Sequence, residues 1–342
     1  MGRATSHTAR RHTHGGKPMH AIRLHAFGPA DHLTYEQVED PRPGPGQVRI
    51  AVRAAGVHLL DTALREGVQG PAPTPVTLPT IPGREVAGVV DTLGPGAPPH
   101  LLGKRVVAHL GFVPGGYAEL AVTDADRLHE IPQRLDFAEA VTMIGTGRTA
   151  MGIVQFAEPG PDDLVAVPAA AGGIGTLLVQ YAARAGATVI GLAGGPAKTA
   201  HAAAAGAHLT VDYTDPHWPE QLAAHRGALT LVYDGVGGDV ARTLVDLLAP
   251  GGRHLVFGWS AQGIGSDGPH LVDGVSTSVL GPEMLKRAGG PNPLRTLERR
   301  ALTQAAEGRL TPAVHRFPLA EAAAAHRALE SRGTTGKVVL EP

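Results

Sequence analysis

Leu164-Val165-Ala166-Val167-Pro168-Ala169-Ala170-Ala171-Gly172-Gly173-Ile174-Gly175 runs from a short apolar strand through a glycine cluster into Thr176 to Ala185, a stretch of helical character. Glycines at such a turn let the backbone bend sharply and approach a pyrophosphate closely. The helix that follows offers unpaired N–H groups and the positive end of its dipole. Ala170 stands at the first glycine position of the usual pattern, so the flanking strand and helix carry the expectation of a dinucleotide site. Ala171, Gly172, Gly173 and Ile174 are the candidate cofactor-binding residues at this turn.

Working outward, apolar strands alternate with Ala-rich helices. The strands read as Leu164 to Pro168, Thr188 to Leu192, His208 to Asp212, Leu229 to Asp234, His254 to Gly258 and Thr277 to Leu280. That rhythm predicts an α/β fold with a doubly wound parallel sheet. Upstream of about Thr142 the pattern is different. Short alternating strands, Ala21 to Phe27, Leu33 to Val38, Val48 to Ala54, Glu85 to Leu93, Lys104 to His109 and Tyr117 to Thr123, are punctuated by Gly and Pro. They predict a β-rich, barrel-like domain with one short helix, Asp61 to Glu66, and a proline-rich surface loop, Pro71 to Pro82, near the cleft. Beyond Pro282 a helix through Arg295 to Ala306, a strand Val314 to Pro318, a helix to Glu330 and a strand Lys337 to Leu340 are expected to rejoin the first domain. The division is residues 1–18 as a leader or tag, 19–145 and 285–342 as a catalytic domain, and 146–284 as the nucleotide-binding domain.

Composition narrows the function. At 342 residues and 43% apolar, the chain can bury a sizeable core divided between two domains. Its 30 basic and 31 acidic side chains are dispersed, which argues against nucleic acid as a partner and for a small molecule. No cysteine is present, excluding disulfides, thiolate nucleophiles and sulfur-ligated zinc. Met1 to Pro18 carries Arg and His without an apolar run. Neither a secretory signal of about 7–15 apolar residues nor a span of about 20 is found, so a soluble cytoplasmic protein with no membrane partner is expected.

Cofactor choice is written about 20 residues past the glycine turn, where a carboxylate would grip the ribose 2′-hydroxyl of NAD. Ala193-Gly194-Gly195 stands there with Lys198 close behind, a combination that suits the 2′-phosphate of NADPH. The plain alternative is a solvated Lys198.

Ala169 to Gly175, Val232-Tyr233-Asp234-Gly235-Val236-Gly237-Gly238, Phe257-Gly258 and Glu330-Ser331-Arg332-Gly333-Thr334-Thr335-Gly336 follow one another in a familiar order. The chain resembles the zinc-free quinone oxidoreductase branch, zeta-crystallin-like NADPH:quinone reductases, of the medium-chain dehydrogenase/reductase superfamily, over nearly everything after Met19. The resemblance implies a GroES-like catalytic domain interrupted by a Rossmann domain. It also implies hydride transfer from NADPH to a quinone or other α,β-unsaturated carbonyl. It assigns Gly194, Lys198, Tyr213 and Arg332 to the 2′-phosphate, and Thr149 to the nicotinamide phosphate. Phe257 and Gly258 fall by the ring, with Val279 and Leu280 beside its carboxamide. A homodimer through the edge Ser276 to Gly281 is a further implication.

The catalytic candidates are His58 and Asp61. Gly56-Val57-His58-Leu59-Leu60-Asp61 resembles the family's Gly-Val-Asn-x-x-Asp loop, with His58 in place of asparagine and Ala63 in place of a tyrosine. His58 can protonate the reduced substrate; alternatively it caps the short helix or bonds to Asp61. No metal is expected, because Gly83-Arg84-Glu85 replaces the Gly-His-Glu ligand segment of the zinc enzymes and arginine cannot ligate zinc. A quinone or enone accepts hydride without a Lewis acid. His109, His254 and the remaining histidines read as surface or core residues. Two other readings stand: an enoyl reductase acting on an acyl thioester or biosynthetic intermediate, and a non-catalytic protein that binds NADPH or nucleic acid.

Overall fold

Residues 18–68, 75–111, 113–261 and 271–342 are described by the computed structural model of the chain. The expected leader up to residue 17 and the start of the proline-rich loop, 71–74, lie outside the described residues.

The antiparallel strands come first. β1 (Met19–Leu24) pairs with β2 (Leu33–Val38) in a separate two-stranded sheet. β3 (Gln47–Val57) buries Val48, Ile50, Val52 and Ala54 at every second position, the period of a strand with one face in the core. There follow α1 (Leu59–Arg65), β4 (Glu85–Leu93), β5 (Arg105–His109), β6 (Leu120–Asp124) and β7 (His129–Glu130). Several boundaries differ from the sequence reading by a few residues, β1 and β3 among them, and two of the differences have clear local reasons. α1 starts early because His58 takes an extended N-cap conformation, with its N–H donated to Asp61 Oδ2 at 2.9 Å. β6 starts late because the Tyr117 N–H goes to Pro82 O at 2.9 Å, tying Tyr117 to a loop rather than to the sheet.

α2 (Phe137–Thr142), a wide π-type turn Met143–Gly147 and α3 (Arg148–Val154) lead into the parallel sheet. Its elements are β8 (Leu164–Pro168), α4 (Gly173–Arg184), β9 (Thr188–Ala193), α5 (Pro196–Ala204), β10 (Leu209–Asp212), α6 (Trp218–Gln221), β11 (Leu229–Asp234), α7 (Gly238–Val245), β12 (Leu248–Val256) and β13 (Ser276–Ser278). All pairings are parallel, in the order β10-β9-β8-β11-β12-β13. This is a Rossmann sheet, and the chain reverses direction of growth between β8 and β11, where a crevice opens at the strand C-termini. β12 begins well before His254, since Leu248 already pairs with Leu229 and the Pro250-Gly251-Gly252 segment is absorbed as a register shift.

After β13 the expected single helix is two. α8 (Pro282–Ala288) stops at Gly289 and Gly290, both at positive φ, and α9 (Pro293–Ala306) restarts with Asn292 Oδ1 accepting the Arg295 N–H at 3.1 Å. α9 presents Leu297, Ala301 and Ala305 to the core that α3 and α4 share; a buried leucine such as Leu297 contributes about 1.5–3 kcal/mol. β14 (Val314–Pro318), α10 (Ala322–Glu330) and β15 (Lys337–Glu341) close the chain. β15 pairs antiparallel with the end of β3, so the seven-stranded sheet has the order β14-β15-β3-β4-β5-β7, with β6 on the same flank of β3 as β15, beside Gln47 to Ala51. The GroES-like half is therefore assembled from both sides of the Rossmann sheet in sequence.

Candidate active site

The glycine turn lies at the C-terminal end of β8. Gly175 is obligatory in the packing, because a Cβ there would fall 2.1 Å from Ala169 O. Gly172, at the N-cap of α4, brings no side chain to the first-turn amides, which therefore remain available to an anion. Ala169 sits at φ 52, a left-handed conformation rare outside glycine. The turn is clipped from outside by the C-terminal segment: the Gly336 N–H donates to Ala171 O at 2.7 Å.

A cleft of about 540 Å³ lies over this turn, lined by Ala169, Ala171, Gly172, Ala193, Lys198, Tyr213, Val236 and Arg332, with Leu59 and Ala63 on its opposite wall. Gly194 lies against the Tyr213 ring, whose edge would stand 3.3 Å from a side chain's Cβ at that position. Asp212, at the end of β10 beside this turn, is committed to it: Oδ1 accepts from the amides of Gly195 and Thr214, each at 2.9 Å. Lys198 and Arg332 meet from opposite sides, Lys198 Nζ donating to Arg332 O while Arg332 Nη2 donates to Ser260 O at 3.1 Å. Burial, and then the nearby guanidinium, lower the pKa of Lys198. Two cations facing one space are relieved by an anion between them, so these residues fit the extra phosphate of NADPH. Arg332 itself is held at φ 57.

The remaining cofactor candidates are placed differently. Gly173 opens α4 beside Thr146 and Lys337, and Ile174 packs on the edge of the core. Thr149 Oγ1 donates to Gly145 O at 3.0 Å inside the π-type turn. The Phe257 ring covers Gly235, and Gly258 lies over the Gly235 carbonyl. Val279 is buried, whereas Leu280 is 45% exposed.

Under the other wall is a cluster of charges. His58 Nε2 stands 2.6 Å from Glu85 Oε1, and Lys337 Nζ stands 3.2 Å from Glu85 Oε2. Glu85 is fully buried, and neither of its oxygens has an aligned hydrogen bond, so these are ion-pair contacts. Burial alone would raise the Glu85 pKa, but the facing charges of His58 and Lys337 hold it well below the usual carboxylate range. Burial lowers that of Lys337 against the pull of Glu85. The His58 ring is 27% exposed and also leans over the first turn of α1 in a capping-box arrangement with Asp61. Asp61 is buried: Oδ2 accepts from Tyr117 Oη as well as from the His58 N–H, each at 2.9 Å. Arg84 Nη2 is 3.9 Å from Asp61 Oδ1. His109 and His326 flank the cluster, and burial pushes both imidazoles down to about 4. Among the described residues no group of three or more His, Cys, Asp or Glu side chains is arranged to hold a metal ion.

The structure thus brings Lys198, Tyr213, Arg332, Ala171 and Gly172 around one cleft, and places His58 and Asp61 at the N-terminus of α1. Sequence reasoning missed Glu85, Lys337 and Tyr117 as members of this site. The available signal was a charge opening an otherwise apolar strand, in Glu85-Val86-Ala87 and Lys337-Val338-Val339 alike.

Comparison with known proteins agrees with this architecture. Residues 44–133 match the alcohol dehydrogenase GroES-like domain, and residues 173–288 match the zinc-binding dehydrogenase family. A 2-haloacrylate reductase from Burkholderia sp. is 32% identical over 93% of this chain and 98% of the relative. A quinone oxidoreductase from Pseudomonas aeruginosa is 32% identical over 94% and 99%. Among solved structures, the quinone oxidoreductase of Pseudomonas syringae superposes with a TM-score of 0.79 at 30% identity, covering 95% of this chain and all (100%) of that one. The Escherichia coli quinone oxidoreductase complexed with NADPH gives 0.79 at 27% identity, covering 94% and 100%. The chain belongs to the quinone oxidoreductase branch of the medium-chain dehydrogenase/reductase superfamily.

Proposed function

We propose that this protein uses NADPH to reduce an electron-poor conjugated carbonyl compound, a quinone or an enone, without a metal ion. The observation that carries the reading is the approach of Lys198 and Arg332 across a cleft whose Ala193 to Gly195 turn has no free carboxylate. The relatives named quinone oxidoreductase and 2-haloacrylate reductase support the substrate class, since a quinone and an acrylate both place a carbon–carbon double bond in conjugation with a carbonyl.

NADPH, when bound, supplies the hydride and carries the redox chemistry. The chain holds it and shapes the cleft. The backbone from Ala171 to Ile174 receives the pyrophosphate, while Gly194, Lys198, Tyr213 and Arg332 hold the 2′-phosphate. Thr149, Phe257 and Gly258 border the nicotinamide half. His58, paired to a buried carboxylate and partly exposed, delivers the proton that the reduced substrate takes up. Asp61 acts through His58 as a positioning residue, because the side chain is buried and its Oδ2 is taken by the His58 N–H and the Tyr117 hydroxyl. Arg84 stands where the zinc enzymes carry a histidine ligand, and because an arginine cannot ligate zinc the reaction is independent of zinc.

The same reading includes a cytoplasmic homodimer joined along β13. That strand is the sheet edge, and Leu280 beside it is exposed. Sedimentation at two salt concentrations tests the dimer. Among the described residues no helix is long and apolar enough to cross a membrane.

The deciding experiment follows the loss of reduced-nicotinamide absorbance with NADPH and with NADH, against an ortho-quinone, a simple enone, a 2-haloacrylate and an enoyl thioester, with chelator throughout. NADPH-selective turnover of the quinone or enone in chelator is expected. Equal use of NADH, or loss of turnover in chelator, overturns the reading. For His58 the expected result is that His58→Ala lowers kcat by about 10²-fold. His58→Asn, which can still cap α1, should lose as much; wild-type turnover in either variant removes His58 from proton delivery.

A further inference from the structure

Across the ends of β11, β12 and β13 runs a buried chain of hydrogen bonds that the reading above does not use. His254 and Asp234 are each only 1% exposed. His254 Nε2 lies 3.2 Å from Asp234 Oδ2, and His254 Nδ1 lies 2.8 Å from Ser276 Oγ. The Val272 N–H donates to that same Oγ at 2.9 Å. On the far side, Asp234 Oδ1 accepts the N–H groups of Val236 at 2.8 Å and Gly237 at 3.0 Å. Donor and acceptor roles follow from the acidic end: an aspartate carboxylate accepts, so Nε2 carries the proton, Nδ1 accepts, and the Ser276 hydroxyl donates. Every member of the chain is satisfied.

Serine, histidine and aspartate in line resemble a nucleophilic triad, but the geometry excludes one. The aspartate meets Nε2 and the serine Nδ1, the reverse of the arrangement that activates a hydroxyl. The imidazole is buried away from any substrate. What the chain does is hold a loop. Asp234 leads into Gly235-Val236-Gly237-Gly238, where Gly237 and Gly238 sit at φ 71 and 62, a conformation that persists where neighbours fix it. Val236 lines the cofactor cleft. The carbonyls of Gly235 and Val236 accept the N–H groups of Ser260 at 3.3 Å and Ala261 at 2.8 Å, and Ser260 O in turn accepts from Arg332. A continuous path runs from β13 to the guanidinium at the phosphate end of the cleft.

We propose that His254 is a positioning residue for NADPH, clamping Asp234 so that the 234–238 loop, and through Ser260 the Arg332 guanidinium, stand preformed at the cleft. The inference rests on the NADPH reading above. A side chain at position 254 must donate on one side and accept on the other, which glutamine can do and leucine cannot.

The test is NADPH binding to the full chain, read by nicotinamide fluorescence, beside kcat at saturating NADPH. His254→Leu should raise the NADPH Kd about tenfold, the effect of losing a hydrogen bond to a charged group. His254→Gln should stay within about threefold of wild type, and kcat at saturation within about twofold for both. If His254→Leu does not fold, Ser276→Ala reads the same quantity, with an expected rise of about threefold. Wild-type affinity in these variants refutes the clamp. So does an equal rise in the Leu and Gln variants, which would mean that position 254 acts by volume alone. Wild-type protein that fails to bind NADPH sinks the cofactor reading and the clamp with it, so the two failures are told apart by the wild-type titration.

Discussion

Removing the Arg332 guanidinium without disturbing its backbone is the sharpest probe of the cofactor site. Arg332 is at φ 57, where any residue with a Cβ carries a cost of about 1–2 kcal/mol that glycine does not. Arg332→Gly therefore deletes the cation and relaxes the chain. The Lys198 contact survives, because Lys198 donates to the main-chain carbonyl of residue 332. A charge-assisted bond to phosphate contributes about 1.5–3 kcal/mol, and solvent screening at this exposed position reduces it to about 1–2 kcal/mol. NADPH affinity should fall about 5- to 30-fold while NADH affinity stays unchanged. Parallel fluorescence titrations with the two cofactors, alongside Tm, measure this. Arg332→Ala should lose the same NADPH affinity but gain nothing in Tm, separating the strain from the charge. Equal losses for NADPH and NADH, or no loss for either, would refute the assignment of Arg332 to the 2′-phosphate.

Two further expectations concern the buried charges. Glu85→Gln leaves Lys337 and His58 without their shared partner, and breaking a buried pair on one side costs about 3–5 kcal/mol at neutral pH; urea unfolding measures it. The Glu85 pKa is depressed in the folded state, so its contribution is present above the ordinary carboxylate range and is lost as pH falls through the folded value. The variant's stability should accordingly be flatter with acid than that of wild type, and a parallel decline would contradict the assignment. His109 and His326 are lowered from 6.5 to about 4, so the unfolded chain takes up protons that the folded chain refuses between those values. Stability from these groups is full above pH about 6.5 and falls on acidification toward 4. His326→Gln should shift the acid-unfolding midpoint downward, and an unchanged midpoint would show that the ring is not held neutral.

The parallel sheet could be read almost strand by strand, because buried β-branched runs between Ala-rich helices leave few alternatives, and the glycine turn marks the candidate cofactor site at the C-terminal end of β8. The misreadings fall where a residue's partner is distant. Tyr117 alternates like a strand residue but spends its N–H on Pro82. Pro250-Gly251-Gly252 reads as a turn, yet the pairing of β11 with β12 passes over it. His58 was visible as a departure from the family loop, whereas Glu85 was not assigned a role, since only the fold brings Lys337 against it. His254 read as a surface or core residue, and its environment becomes apparent only when β11, β12 and β13 lie side by side.

The pairing of Val57 with Val338 places nearly the whole chain between two adjacent strands. During synthesis β3 leaves the ribosome early, whereas β15 emerges only after the entire Rossmann sheet has been made. In that interval the end of β3, Ala55 to Val57, lacks its partner on the flank that β6 covers only as far as Ala51, Glu85 has no Lys337, and the glycine turn lacks its Gly336 clip. A nascent chain of this kind can fold its nucleotide-binding sheet but not its catalytic floor, and its open strand edge is a surface on which aggregation or chaperone capture can act. The docking of β15 on β3 thus completes the floor of the candidate site, and a ribosome stalled just short of Gly336 would carry a folded sheet with that site unfinished.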